Sequence, residues 1–273
     1  MTDIVSQGPE SHPFFFQLYV NSDHAKTRAL LADIMRLRPR IKGLIITVDA
    51  PVPGKREADE RLRADESLTA PNSGATAKND KKGGGLGRIM GAYVDSALHW
   101  EDLAWIREAV GPDMPLILKG VQSAADALLA VQHGVQGIIV GNHGGRSLDT
   151  SPPSILILLE LQRSCPEVFA KMEVYVDGGI RRGIDVLKAL CLGATAVGIG
   201  RHFLYSLAYG QEGVEHLIEL LKDELEVSMR MIGITDLSQV HPGLVNTGDV
   251  DHLVPSTMAE HPYAKWRPKK PRL

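Results

Sequence analysis

The sequence is short of cysteine, of aromatic residues and of long apolar runs, and each shortage excludes something. Two cysteines, Cys165 and Cys191, in a chain of 273 residues cannot make a disulfide framework, and no C-x-x-C pair is present. The expectation is two reduced thiols in an intracellular protein, cytoplasmic or organellar. Aromatic residues are 5% of the chain and the formal net charge is −3. That supplies neither the stacking platforms nor the basic field that a nucleic-acid partner requires. No stretch approaches the roughly 18 consecutive apolar residues of a membrane-spanning helix. Residues 1–13 are polar, contain Asp3, Glu10 and His12, and lack arginine. They are expected to be a lead-in segment, with neither the pattern of a secretory signal nor that of a mitochondrial presequence.

What is present is ordinary globular material, 44% hydrophobic and 23% charged. Short apolar runs alternate with amphipathic stretches. The expected strands are Phe14–Val20, Gly43–Val48, Leu116–Lys119, Gly137–Val140, Val174–Asp177 and Ala196–Gly200. Continuous apolar runs of this length fit parallel strands covered on both faces. Helical spacing marks 24–37 through Leu30, Leu31, Ile34 and Leu37, and marks 123–133 and 183–192 in the same way. Strand and helix in alternation imply βαβ units on a parallel sheet. Residues 212–232 read as an amphipathic helix whose stripe, Val214, Leu217, Ile218, Leu221, Leu225 and Met229, is expected to be core packing. Residues 54–94 interrupt the rhythm with a polar insertion in which no strand or buried helix is readable. The segment is either a mobile rim loop or an inert surface insertion. Residues 255–273, rich in proline and lysine, read as an extended or disordered tail.

The polar residues gather where strands end. Lys119 closes one strand, Asn142-His143-Gly144-Gly145-Arg146 follow another, Asp177-Gly178-Gly179 end a third, and Gly200-Arg201 the last. Chemistry at the same end of four successive strands favours a (β/α)8 barrel over a doubly wound sheet. Six strands are readable where a closed barrel has eight. The glycines and arginines on the last two strands can hold an anion through free N–H groups and guanidiniums. His143 beside Arg146 is either an ordinary surface pair or a base next to a carboxylate anchor, and the flanking glycines clear space for a ligand. Lys119 is suited either to charge stabilisation or to Schiff-base chemistry. Asp49 is either a loop cap or the carboxylate that orients a histidine. No metal site is expected.

Several strings together make a specific resemblance. Phe15-Phe16-Gln17-Leu18-Tyr19-Val20 is followed by Thr47-Val48-Asp49-Ala50-Pro51, Gly54-Lys55-Arg56-Glu57 and Leu118-Lys119-Gly120-Val121. The histidine-glycine string at 142–146, Asp177 to Gly183 and Gly198-Ile199-Gly200-Arg201 come next. In this order they resemble the FMN-dependent 2-hydroxy-acid dehydrogenase and oxidase family, which includes glycolate oxidase, lactate oxidase and flavocytochrome lactate dehydrogenase. The resemblance runs from about Phe14 to Pro255. It implies an α/β fold, a (β/α)8 barrel that is incomplete and lacks about its first two strands, spanning 14–254 here. It implies bound FMN and oxidation of an (S)-2-hydroxy acid such as lactate or glycolate to the 2-oxo acid.

The same resemblance implies residue roles. Gln17 and Thr47 would hydrogen-bond the flavin ring, and Lys119 would stabilise negative charge on it. Asp177, Gly178, Gly179, Arg181, Gly200 and Arg201 would hold the ribityl phosphate. Tyr19, Arg56 and Arg146 would bind the substrate, and His143, oriented by Asp49, would take its proton. Oxygen, a cytochrome or a quinone would accept the electrons, and a homo-oligomer is implied as a possible state. Gly141 stands where the family usually has serine and Ser147 where glutamine is frequent, and neither change removes a catalytic group. The alternative reading is a non-catalytic remnant of such an enzyme, without flavin.

Overall fold

The computed structural model describes residues 2–38, 40–70, 74–76, 78–79, 81, 83–84 and 87–254. In chain order the first elements are α1 (Thr2–Gln7), β1 (Phe14–Leu18), α2 (His24–Met35), β2 (Ile41–Thr47), α3 (Glu57–Glu60), α4 (Gly87–Gly91), α5 (Asp102–Val110) and β3 (Leu116–Val121). Then come α6 (Ala124–Gln132), β4 (Gly137–Val140), α7 (Ser154–Ser164), α8 (Val168–Lys171), β5 (Glu173–Asp177), α9 (Gly183–Cys191), β6 (Ala196–Gly198), α10 (Arg201–Ser206) and α11 (Gly210–Ile232). They form two compact units. One holds residues 1–121 and 133–151, and the other holds 122–132 and the chain from Pro152 onward.

In the first unit β1 to β4 lie side by side in chain order, and each printed pair is parallel. Leu44, Ile46, Leu116, Leu118, Ile138 and Val140 are all buried, as strands covered on both faces require. Gly43 lets the ring of Phe15 on the neighbouring strand lie against the backbone, since a Cβ there would sit 2.8 Å from it. Helix α2 opens on Asp23, whose carboxylate accepts from the Ala25 N–H, and buries Thr27, Leu31 and Ile34. It packs on α5, which buries Leu103, Ile106 and Val110. Each fully buried Leu or Ile here contributes on the order of 1.5–3 kcal/mol.

The second unit pairs β5 with β6 in parallel, with Asp177 opposite Gly198. Helix α9 packs closely on α11. A Cβ on Gly183 would lie 2.2 Å from the Leu225 nitrogen, so only glycine fits there. Leu187, Cys191 and Ile234 form the buried seam, with Leu225 and Met229 packed against it. Cys165 and Cys191 are both buried and free. Burial, with Glu167 and Glu160 nearby, pushes the Cys165 thiol up to about 11, and burial pushes Cys191 up too. Both thiols are therefore expected to resist a chromogenic disulfide reagent at neutral pH in the folded protein and to react fully in denaturant. One thiol titrating within minutes in native buffer would contradict this assignment.

Three expectations need correction. Residues 54–94 contain two short helices, α3 and α4, and Ile89 of α4 is buried. Side-chain bonds order this segment. Asn79 bonds both N and O of Ala64, at 3.0 and 2.8 Å, and Asp59 accepts from the Gly87 N–H at 3.1 Å. Such asparagine and aspartate bonds leave no apolar period to read. The stripe of α11 is not core along its length. Val214, Leu217, Leu221, Leu225 and Met229 are half-buried, Ile218 is 41% exposed, and no residue of the helix is fully buried. The lead-in contains α1, with Val5 buried. The expected tail at 255–273 lies outside the described residues.

Candidate active site

Strand register brings the first group together. Thr47 is the partner of Lys119 across β2 and β3, and the Gln17 side-chain amide donates to the Thr47 hydroxyl at 2.8 Å. A row of amide, hydroxyl and ammonium thus crosses the carboxyl ends of β1, β2 and β3, where a barrel of this class places its chemistry.

A second group lies just past the strand ends. The Asp49 side chain is fully buried, and one of its oxygens stands 3.0 Å from Nδ1 of His143, whose side chain is 13% exposed. His143 has φ +56 and is the one non-glycine with positive φ among the described residues. Strain of this kind persists where surrounding contacts over-determine the conformation. The contacts are visible. Asn142 Oδ1 accepts from the Gly145 N–H at 3.1 Å, and Arg146 Nε reaches the His143 carbonyl at 3.4 Å. Beneath Asp49, Gly120 takes φ +98, and the β3–β4 register skips it as a bulge between Lys119 and Val121.

The arginine-bearing loops meet each other. A Cβ on Gly54 would fall 2.1 Å from the Arg146 carbonyl oxygen, so glycine is required for the 54–56 turn to lie on the 146–147 backbone. Tyr19 records the electrostatics of the cluster. Burial is the main cause that raises its phenol, Asp49 and Tyr93 raise it further, and Arg146 and Arg56 pull the other way. Tyr19 therefore stays protonated, a donor within reach of both arginines' fields. Nε of Arg56 and the second oxygen of Asp49 are buried with no partner among the described residues. Unsatisfied buried polar atoms cost about 1–3 kcal/mol each and mark places where a ligand completes the bonding.

In the second unit Gly178 and Gly179 turn with φ of +87 and +83 after β5. A Cβ on Gly179 or Gly200 would meet no heavy atom within 4 Å, so open space faces both. The expected supply of free N–H groups is smaller than the sequence suggests. Asp185 accepts from the N–H groups of Arg181 and Arg182 at 3.1 Å, and Glu224 accepts from Gly183 at 2.8 Å and from the Arg182 guanidinium at 2.8 Å. These carboxylates cap α9 and take the helix-end donors that an anion would have used. What faces open space here is the backbone at Gly179 and Gly200.

Every expected residue of the first unit, Gln17, Tyr19, Thr47, Asp49, Arg56, Lys119, His143 and Arg146, lies on the carboxyl rim of its strands or on the loops that continue them. Sequence reasoning missed Tyr93. It follows no strand and has no glycine beside it, and its effect on Tyr19 and the bridge between Asn21 and Val94 reveal it. Among the described residues no helix is long and apolar enough to cross a membrane.

Known proteins give the family. Residues 1–247 match the family model described as FMN-dependent dehydrogenase. The chain is 40% identical over 251 residues to L-lactate dehydrogenase (cytochrome) of Saccharomyces cerevisiae, covering 89% of this chain and 41% of that protein. It is 39% identical over 246 residues to glycolate oxidase of Spinacia oleracea, covering 87% of this chain and 64% of the relative. The flavin-binding domain of baker's yeast flavocytochrome b2 superposes with a TM-score of 0.76 at 38% identity, over 92% of this chain and 58% of that one. Mandelate oxidase with (S)-4-hydroxymandelic acid gives 0.76 at 34% identity, over 87% and 66%. The chain thus spans about two fifths to two thirds of the length of these relatives. The fold is a (β/α) barrel in part. Six parallel strands stand among the described residues, where the closed form has eight. The family match over most of the chain, on top of a shared fold, means that this chain belongs to the FMN-dependent dehydrogenase family.

Proposed function

We propose that this chain oxidises (S)-2-hydroxy acids to 2-oxo acids with FMN as its cofactor. The observation that carries the reading is half-buried His143, at a strained backbone position, paired with buried Asp49 beside two arginines and a protonated tyrosine. Each unit by itself carries groups that suit one part of FMN. The Gln17–Thr47–Lys119 row offers a donor, a hydroxyl and a cation to the polar edge of a flat ring. The open backbone at Gly179 and Gly200, with Arg181 and Arg201, suits a phosphate.

Nδ1 of His143 is held by Asp49, so neutral His143 donates through Nδ1 and keeps its lone pair on Nε2. Nε2 is the atom that takes a proton from the substrate. Asp49 then faces an imidazolium and stabilises it, as a buried carboxylate does in related acid–base pairs. Arg56 and Arg146 hold the substrate carboxylate through their planar forks. Tyr19 donates a hydrogen bond to the bound acid. FMN, when bound, would supply the acceptor for the two electrons and the second proton released as the C2–H and O–H bonds give way to C2=O. Oxygen, a cytochrome or a quinone would be the final electron acceptor.

The test is to reconstitute the full chain with FMN, remove excess by gel filtration and add L-lactate or glycolate without oxygen. Retained yellow colour that bleaches with one equivalent of substrate is the expected result. Protein that takes up no flavin, or holds flavin that no 2-hydroxy acid bleaches, would overturn the reading.

A further inference from the structure

We propose that the cavity beside Tyr19 is a subsite for the far end of the substrate and selects 2-hydroxy acids that carry a second anionic group. The proposal rests on the oxidation reading above and adds the class of acid. The cavity has a volume of about 150 Å³, room for a short side chain. Gln17, Tyr19, Asn21, Lys26, Thr27 and Tyr93 line it together with two leucines. Six of eight lining residues are thus polar or charged, and a wall of this kind is a poor place for an alkyl tail.

The wall is built rather than incidental. The segment carrying Tyr93 is bonded to the segment that follows Tyr19. The Ser22 N–H donates to the Tyr93 carbonyl and the Asp95 N–H to the Val20 carbonyl, each at 2.8 Å, and Asn21 bridges Val94 antiparallel. His24 at the head of α2 stands 2.7 Å from Asp95. The Thr27 hydroxyl accepts from the Asn21 N–H at 2.9 Å. Tyr93 is thereby held in one position relative to Tyr19 and to the helix that carries Lys26. Its hydroxyl donates to Met90 Sδ at 3.3 Å, a weak acceptor that a carboxylate oxygen can displace. Burial raises the phenol, so it stays neutral and can donate to an anion.

The charge in this region is positive. A larger open cleft of about 700 Å³ shares Asn21, Lys26 and Tyr93 with the cavity, and Lys78 and Arg88 also line it. Among the described residues that line it, three cations face one carboxylate, Asp23. Asp23 lies 3.9 Å from Lys26 and both side chains are more than half exposed, a contact worth little in water. Lys26 can therefore turn to a distal carboxylate. One carboxylate of the substrate goes to the arginines whose fields Tyr19 senses, and the other goes to Lys26 and Tyr93.

The experiment compares 2-oxoglutarate with its apolar isostere 2-oxo-5-methylhexanoate by calorimetric binding to the FMN-reconstituted chain. The corresponding (S)-2-hydroxy acids are compared by anaerobic bleaching. The expected result is about tenfold tighter binding of the dicarboxylate, the gain of one charge-assisted hydrogen bond. Lys26→Met and Tyr93→Phe are each expected to shrink that ratio several-fold. Equal or tighter binding of the isostere, no binding of either acid, or an unchanged ratio in Lys26→Met would overturn the proposal. Selective binding without bleaching would leave the subsite standing and remove the oxidation reading. Bleaching without selectivity would do the reverse.

Discussion

Replacing His143 by asparagine is expected to lower the oxidation of a 2-hydroxy acid by about 10²–10⁴-fold, the range that positioned general bases contribute. Asparagine can still accept or donate one bond toward Asp49, so the buried carboxylate is not stranded, but no atom remains at the position of Nε2 to take a proton. The loss should fall on kcat, while flavin affinity should stay within a few-fold, because His143 is not in the Gln17–Thr47–Lys119 row. Stopped-flow bleaching of FMN under anaerobic conditions measures it. Asp49→Asn should cost less than His143→Asn, since it keeps the base and removes only its orientation and the stabilising charge. A His143→Asn enzyme that bleaches within about threefold of the parent rate would show that the proton goes elsewhere.

Gly120→Ala is expected to damage stability and site together. The new Cβ would lie 2.3 Å from Cβ and 2.4 Å from Cγ of Asp49. Asp49 has no room to retreat, because its side chain is wholly buried. The backbone angle of +98° adds a penalty for any L side chain. Overpacking costs about 1–3 kcal/mol and the left-handed conformation about 1–2 more, so a fall of roughly 2–5 kcal/mol is expected. For a chain of this size that corresponds to a drop in Tm of very roughly 5–15 °C. Displacing Asp49 should also loosen His143 and lower turnover. Thermal unfolding by circular dichroism is the measurement, and a Tm within about 2 °C of the parent would contradict the packing described here.

Both substitutions show what kind of information the sequence holds. Its apolar runs at 44–48, 116–118 and 137–140 announce strands because a buried parallel strand needs nothing but apolar residues, and the bounds moved by three residues or fewer. Lys119 and His143 stand out because a cation or imidazole at the end of such a run has no packing explanation. Gly120 does not stand out. Its bulge exists only because β4 pairs past it and Asp49 presses on it from 71 residues away.

Side-chain competition was equally invisible. The turn from Gly178 to Gly183 reads as a supply of free donors, yet Asp185 and Glu224 take three of its N–H groups. Glu224 lies on a helix that reads as solvated on that face. The stripe of α11 has full helical period, but period records which residues share a face, not whether a neighbour covers it. Tyr93 is ordinary by every local criterion and becomes notable through the antiparallel bridge beside Tyr19.

Composition, period and motif spacing determined the parallel α/β class, the order of the strands and the identity of the residues that carry charge and protons at their ends. These properties are written in nearest neighbours and in repeats of two to four residues, so one dimension suffices to read them. The tertiary structure alone decided that His143 points Nδ1 at a buried Asp49, that two glycines admit backbone where no side chain fits, and that a polar cavity with a lysine opens beside Tyr19. Each of those depends on atoms far apart in the chain coming within a few ångströms of one another, and no local pattern encodes such a distance.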